Sequence, residues 1–413
     1  MKTRQIKKTF VLINSLGGGG AERQVCYLQN LLKIEAIFLL EDDIQYHLDN
    51  TKIIPLSHLD RSASTFQKIF LYPFAIWKMK RCGVDKTSCV ISFMERSNYL
   101  NIISKFFLGH RAIISERTTP SRAFTRGMKR LNNIFIPLLY PFADHIVVNS
   151  KGVHADLQSY GIRKSAIEII HNIVDVESHG LMPQSMLCES THQLIVMSGR
   201  LIHLKSYQYL IRIFHYVKNV IPTVGLVILG VGNLCGKLMQ LSRELQLKTF
   251  SIWEDEGFQS FETHDIYFLG YQTNSSMIVS QASLFILASQ WEGFPNVLLE
   301  ALAHGTPVMS SDCRSGPREI LAPDTDFRYE TKVQEYAKYG ILMPVFDGKW
   351  RNVDESLSHE EQIWADEIIK VLSNKELLEH YGEVGKQRAQ DFSVDKIIPQ
   401  WERVIQEVEK NKQ

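Results

Sequence analysis

The stretch QWEGFPNVLLEALAHGTPVMSSDC, Gln290 to Cys313, sets two glutamates, Glu292 and Glu300, on either side of a Gly-Phe-Pro turn. It follows the apolar run LFILAS and ends in a Gly-Thr-Pro break before a second apolar run, TPVMSS. A short apolar run without alternation is what a strand covered on both faces requires. Proline suits the first position of a helix, where its missing N–H is not needed, so a helix is expected to open at Pro295. Strand, tight loop, helix, strand is one step of an α/β fold.

The same grammar recurs outward from this stretch. TFVLINS, EAIFLL, CVISF, RAIIS and HIVVNS in the first half, and QLIVMSGR, VGLVILG and IYFLG in the second, alternate with amphipathic stretches. The expected class is therefore α/β, with two Rossmann-like parallel-sheet domains. Between the halves, Asp175 to His192 is polar, contains Pro and Gly, and shows no period, which predicts a linker near residue 180. The expected domains are 1–180 and 181–395, with a terminal helix over 396–413 packing back toward the first domain. Pro399 would kink or start that helix.

With 45% hydrophobic and 22% charged residues in 413, the chain has an ordinary globular composition and can bury two cores. Its six cysteines form no C-x-x-C pair and have no His at metal spacing, so reduced thiols are expected, with neither zinc nor a disulfide. The start, MKTRQIKKTFVLINS, is basic then apolar, but its apolar run is too short for a signal peptide and reads as a buried first strand. No stretch reaches the ~18 to 20 apolar residues of a membrane span.

A cytoplasmic protein is expected, with no nucleic-acid partner. The formal charge of +1 hides a split: residues 1–180 hold 24 Lys+Arg against 15 Asp+Glu, and the remainder 22 against 30. FQKIFLYPFAIWKMKRCG and FTRGMKRLNNIFIPLLYPF combine cations with aromatic and aliphatic residues, the composition of a surface that lies on anionic lipid. A peripheral position on the cytoplasmic face of a membrane follows as an expectation.

Ligands of open parallel sheets collect at the carboxyl ends of strands, where glycines admit close backbone approach and helix amino termini favour negative charge. Three places fit. INSLGGGGAERQV offers Gly17 to Gly20 before a helix, with Glu22 in its first turn, but lacks the G-x-G-x-x-G of a dinucleotide site. VMSGRLIHLK offers Arg200 and Lys205, a guanidinium and an ammonium suited to a diphosphate. In the third, the opening stretch, the amides of Asn296, Val297 and Leu298 face the strand-end crevice. Glu300 stands a turn or so into the helix, able to accept from vicinal hydroxyls, and Glu292 on the loop reaches another part of the same ligand. The two carboxylates then need not be an acid/base pair: one turn and helix grip both ends of a nucleotide-sugar.

GGAERQV, IIHNIVD, SGRLIHLKSYQYLI and LFILASQWEGFPNVLLEALAHGTPVMSSDCRSGPREIL resemble, in order and spacing, the family-four retaining glycosyltransferases of the GT-B fold, over about residues 9 to 395. The resemblance implies two domains facing across a cleft, a nucleotide-sugar on the second, UDP-sugar favoured, and a lipid-linked sugar or glycan acceptor on the first. By position it implies Glu300 on the ribose, Glu292 on the transferred sugar, Arg200 and Lys205 on the diphosphate, and Gly19 and Gly20 near the phosphates. Gly293, Phe294 and Pro295 complete the expected donor loop, and no metal or other cofactor is implied. The strand-end motif SERN-x-P of similar members reads SERTTP here, with Thr118 for Asn. It makes Glu116 and Arg117 candidates on the acceptor side, with Glu95 and Asn98 beside them. Two other readings stand: a nucleotide-sugar epimerase of the same architecture, or a non-catalytic nucleotide-sugar-binding subunit.

Overall fold

The computed structural model describes residues 6–46, 48, 51–57, 70–122, 126–175, 192–255, 257–258 and 260–410. It divides into two compact units, one of residues 1–173 with 394–413, the other of residues 174–393. Except for its two end residues, the expected linker Asp175–His192 lies outside the described residues.

In the first unit seven strands, β1 (Lys8–Ile13), β2 (Ile34–Leu39), β3 (Lys52–Pro55), β4 (Ser88–Phe93), β5 (Arg111–Glu116), β6 (His145–Val148) and β7 (Ile167–Ile169), form one sheet. The order is β3-β2-β1-β4-β5-β6-β7 and every pairing is parallel. Alternate residues of β1 feed opposite cores: Phe10 and Leu12 join one, Val11 and Ile13 the other, which is why the run carries no polar alternation.

The helix Val394–Lys410 belongs to this unit and adds Ile397, Trp401, Val404 and Val408 to the second of these cores. It begins ahead of the expected 396, and Pro399 lies inside it rather than at its start.

The second unit holds β8 (Gln193–Ser198), β9 (Val224–Leu229), β10 (Thr249–Ser251), β11 (Ile266–Phe268), β12 (Leu284–Leu287), β13 (Val308–Ser311), β14 (Glu335–Ala337) and β15 (Gly340–Met343). Their order is β10-β11-β9-β8-β12-β13-β15-β14, parallel but for the β14–β15 hairpin.

The division falls at Ile173/Val174 and Ser393/Val394, not at 180/181 and 395/396. Hydrogen bonding explains the earlier break. The Gln24 side chain clasps Ile173, its Nε2 donating to Ile173 O at 2.9 Å and its Oε1 accepting from Ile173 N at 2.6 Å. The next amide, Val174 N, donates to Phe392 O of the second unit at 3.0 Å.

Each strand order reverses once, between β1 and β4 and between β8 and β12. A crevice opens outside the carboxyl ends at such a point, because the following connections leave on opposite sides. The glycine run follows β1 and Glu95 follows β4; Arg200 and Lys205 follow β8 and Glu292 follows β12. Among the described residues no helix is long and apolar enough to cross a membrane.

Candidate functional site

In the second unit, β8 ends in Gly199, and the chain passes through a turn, His203–Lys205, into the helix Tyr207–Val220. Gly230, after β9, makes this course possible: a Cβ there would lie 2.0 Å from Gly199 O. Gly230 and Gly232 shape that approach.

Lys205 Nζ pairs with Glu292 Oε1, and both side chains are 13% exposed. Ser289 Oγ, at the end of β12, donates to the same oxygen at 2.6 Å. The Glu292 backbone is fixed on both sides, its N–H donating to Arg314 O and its carbonyl accepting from Ser315 N, each at 3.0 Å. One charged pair, nearly nine-tenths enclosed and held through its backbone, thus stands at the switch point of the sheet.

The helix after it runs from Asn296 to Ala303, with Pro295 one position ahead of it in extended conformation rather than at its first turn. No side chain caps it. The Leu298 amide, expected to face the crevice, bonds back to Pro295 O at 3.2 Å instead. Glu300 is 8% exposed, not a solvated helical residue. The turn Gly293–Pro295 is pinned from behind by Gly316 (φ +99°), where a Cβ would lie 2.7 Å from Pro295 Cδ. Arg200, by contrast, is exposed.

The loop behind the turn rests on a cluster that sequence reasoning missed. Arg318 holds Asp312 through Nε and Nη2, the shortest contact 2.6 Å, and Glu335 through Nη2 at 2.6 Å, with its guanidinium 4.8 Å from the Tyr329 ring centre. Burial raises the Asp312 carboxyl above its usual range despite the guanidinium. An Asp-x-Asp triplet, Asp324 to Asp326, is present, against the reading that the sequence has none. Its carboxylates are exposed and engaged by Lys338 and Arg328, at 3.1 and 2.8 Å. Among the described residues no group of His, Cys, Asp and Glu is arranged to hold a metal.

In the first unit Gly19 caps the helix Gly20–Leu31, and Glu22 folds back over it: a Cβ on Gly19 would lie 2.3 Å from Glu22 Oε2. Glu116, closing β5, is fully buried; it accepts from Tyr140 Oη at 2.7 Å, Asn98 Nδ2 at 3.4 Å and Arg117 N at 3.2 Å. Glu95 opens the helix Glu95–Leu108 behind Met94, a non-glycine residue at φ +73°. The Thr118 hydroxyl lies 3.3 Å from a carboxylate oxygen of each glutamate. Burial raises both carboxyls, that of Glu116 well above its ordinary value of 4.5, with a further push from Glu95.

Arg117 does not pair with the Glu116 side chain. It donates to Asn172 Oδ1 at 2.8 Å and Ser115 Oγ at 2.8 Å, and its guanidinium lies over the rings of Phe93 and Trp401, 5.4 and 5.5 Å from their centres. Asn98 is likewise buried, bridging Ser92, Ser115 and Tyr140. These residues form a braced acidic floor beneath Thr118.

Two α/β sheets of this order, parallel but for one hairpin strand, give the chain the GT-B architecture. Two family descriptions match: Glycosyl transferases group 1 over residues 192–339 and Glycosyltransferase Family 4 over residues 97–178. The chain belongs to the family-four glycosyltransferases and is a glycosyltransferase. It is 28% identical to an uncharacterised glycosyltransferase of Methanocaldococcus jannaschii, over 91% of this chain and 93% of that one.

It is 32% identical to the N-acetylgalactosamine-N,N'-diacetylbacillosaminyl-diphospho-undecaprenol 4-alpha-N-acetylgalactosaminyltransferase of Campylobacter jejuni, over 77% of this chain and 84% of that one. Among solved structures, HepE of Anabaena in complex with UDP shares the fold with a TM-score of 0.71 and 16% identity, over 97% of this chain and 100% of that one.

Proposed function

We propose that the protein transfers a hexosyl or N-acetylhexosaminyl group from a nucleotide-diphosphate sugar, UDP-sugar first among them, to a lipid-linked sugar or glycan acceptor in polysaccharide assembly, with retention of configuration. The observation that carries the reading is the Lys205–Glu292 pair at the β8/β12 switch point, beside the helix bearing Glu300. The solved HepE complex with UDP supports the donor, and the diphospho-undecaprenol in the Campylobacter relative's name supports the acceptor.

In this reading Glu300 accepts from the ribose hydroxyls and Glu292 from hydroxyls of the transferred sugar. Lys205 and Arg200 neutralise the charge that builds on the leaving diphosphate, the work a cation does elsewhere, so the reaction is metal-independent. The loop Gly293–Pro295 and the amides of Asn296 and Val297 border the donor. Gly19 and Gly20, at the start of the first helix of the first unit, offer a backbone approach to phosphate on that unit. Glu116 and Arg117, being buried, act by holding Thr118 and the β5 end in place rather than by touching the acceptor.

The bond from the anomeric carbon to the diphosphate oxygen breaks, and the acceptor oxygen bonds to that carbon on the same face. The departing phosphate oxygen takes the acceptor's proton. Such a step asks of the protein positioning and charge stabilisation, and no enzymic nucleophile. The enzyme works at the cytoplasmic face of a membrane as a peripheral protein.

The test is an incubation with α-configured UDP-sugars and a short-chain polyprenyl-diphosphate sugar, followed by proton NMR of the product. An α linkage is expected. A β linkage removes retention, and a UDP-sugar epimerised without any acceptor moves the protein to the epimerase reading.

A further inference from the structure

We infer that the exposed aromatic face of the helices Tyr72–Arg81, Glu95–Leu108 and Arg126–Leu139 in the first unit is a docking surface for an anionic phospholipid bilayer. The inference deepens the lipid-linked reading above and rests on it for its purpose. These helices are neighbours: the second packs against both the first and the third, and against the turn Tyr140–Phe142.

Five phenylalanines are exposed among the described residues, and all lie on these helices, on the turn Tyr140–Phe142 or two residues ahead of the first helix: Phe70, Phe74, Phe106, Phe107 and Phe142. Phe107 is 73% exposed and Phe70 81%. Single exposed apolar residues are ordinary, whereas a concentration of bare rings marks a site of interaction.

Side-chain contacts join the second helix to the turn and order the rings of the first. Phe106 meets Phe142 edge to face at 5.3 Å, and Lys105 Nζ donates to Phe142 O at 2.9 Å. Phe74 stacks on Trp77 at 5.5 Å, and the Arg81 guanidinium lies over the Trp77 ring at 4.9 Å. Ile134 and Leu138, one turn apart on the third helix, are 61% and 57% exposed.

Charge selects the occupant. Residues 70–82 and 126–142 contain no aspartate or glutamate, while Lys80, Arg81, Lys129 and Arg130 are exposed. Of the acids on adjoining elements, Glu95 is buried beside Thr118, and Asp144 is held by Lys105 at 2.8 Å and Arg111 at 3.3 Å. A solvated helix face would show cation stems without the rings; an interface between protein copies would pair its cations with carboxylates. Rings accompanied by exposed cations suit the headgroup and acyl boundary of a bilayer carrying negative lipid. Phe106 and Phe107, at the end of their helix, are the side chains placed to enter it.

The experiment is flotation of the full chain with phosphatidylcholine vesicles, with and without phosphatidylglycerol, at low and high salt. Comparisons are Phe106→Ser/Phe107→Ser and, in the second unit, Trp253→Ser. The wild type and Trp253→Ser are expected to float with the anionic vesicles at low salt, and the double variant to bind at least tenfold less. UDP affinity and turnover of a water-soluble acceptor should stay unchanged in all three.

Two results overturn the inference: a wild type that stays down with anionic vesicles at low salt, or a double variant that floats as well as the wild type. Sedimentation showing self-association lost on the same substitutions, without flotation, assigns the face to a second copy and also overturns it. Flotation by a protein that transfers no sugar to any lipid-linked acceptor keeps the surface and sinks the proposed acceptor instead.

Discussion

Replacing Lys205 by alanine removes the ammonium that Glu292 holds. An exposed ion pair contributes ~0 to 1 kcal/mol, and removing one partner of a fully buried pair costs ~3 to 5 kcal/mol. Here both side chains are 13% exposed, and Ser289 Oγ still donates to Glu292 at 2.6 Å, so a loss of about 1 to 3 kcal/mol is expected. At ~2 to 4 °C per kcal/mol for a unit of this size, the melting temperature falls by roughly 2 to 12 °C.

Donor affinity falls separately. One charge-assisted contact to the diphosphate is worth ~1.5 to 3 kcal/mol, so UDP binds roughly ten- to a hundredfold more weakly. The double variant Lys205→Met/Glu292→Gln, which removes both charges, should recover much of the stability but not the affinity. Thermal melts and isothermal titration with UDP read the two effects. If Lys205→Ala binds UDP as the wild type does, or if the double variant regains affinity, the ammonium does not serve the diphosphate and the pair is structural.

Three further outcomes are expected. Burial favours the neutral form of Glu116, so its contribution to stability is complete below its ordinary value of 4.5 and is lost as pH rises through its raised value. The first unit should therefore melt lower as pH climbs from about 5, and Glu116→Gln should flatten that decline; an unchanged slope in melts against pH counts against it. Ser206 stands at φ +60°, where a side chain costs ~1 kcal/mol, with a buried hydroxyl that finds no partner, so Ser206→Gly should raise the melting temperature by a few degrees. Trp401 is 1% exposed and packs on Phe93 at 5.9 Å, so Trp401→Ala should cost the first unit about 3 to 5 kcal/mol in denaturant titration; a loss below 1 kcal/mol would mean the terminal helix is not part of its core.

The parallel architecture was legible because its central strands are continuous apolar runs with a glycine or polar turn after each. Of the five strands that went unread, β3, β7, β10, β14 and β15, all but β15 hold no more than two consecutive apolar residues and so offer no continuous run to recognise. That Lys205 and Glu292 each follow a strand end was readable from the local sequence; that they pair depends on β8 and β12 being neighbours, which no local pattern records. The roles of Glu116 and Arg117 were not readable: Asn172, Tyr140 and Trp401, which decide what those side chains face, stand far along the chain. The domain break was misplaced because the polar stretch after 175 signals a linker, while the boundary itself depends on a clasp between Gln24 and Ile173 that no local composition records.

The central claim is that the β8/β12 switch point of the second unit holds a uridine diphosphate sugar. It is tested most directly by titrating UDP into the wild type and into Glu300→Gln. The account predicts saturable binding by the wild type and a loss of ~1 to 3 kcal/mol in the variant, because a carboxylate accepting from ribose hydroxyls becomes a weaker neutral partner. Equal affinity in a folded Glu300→Gln, or a wild type that ignores UDP, would contradict it.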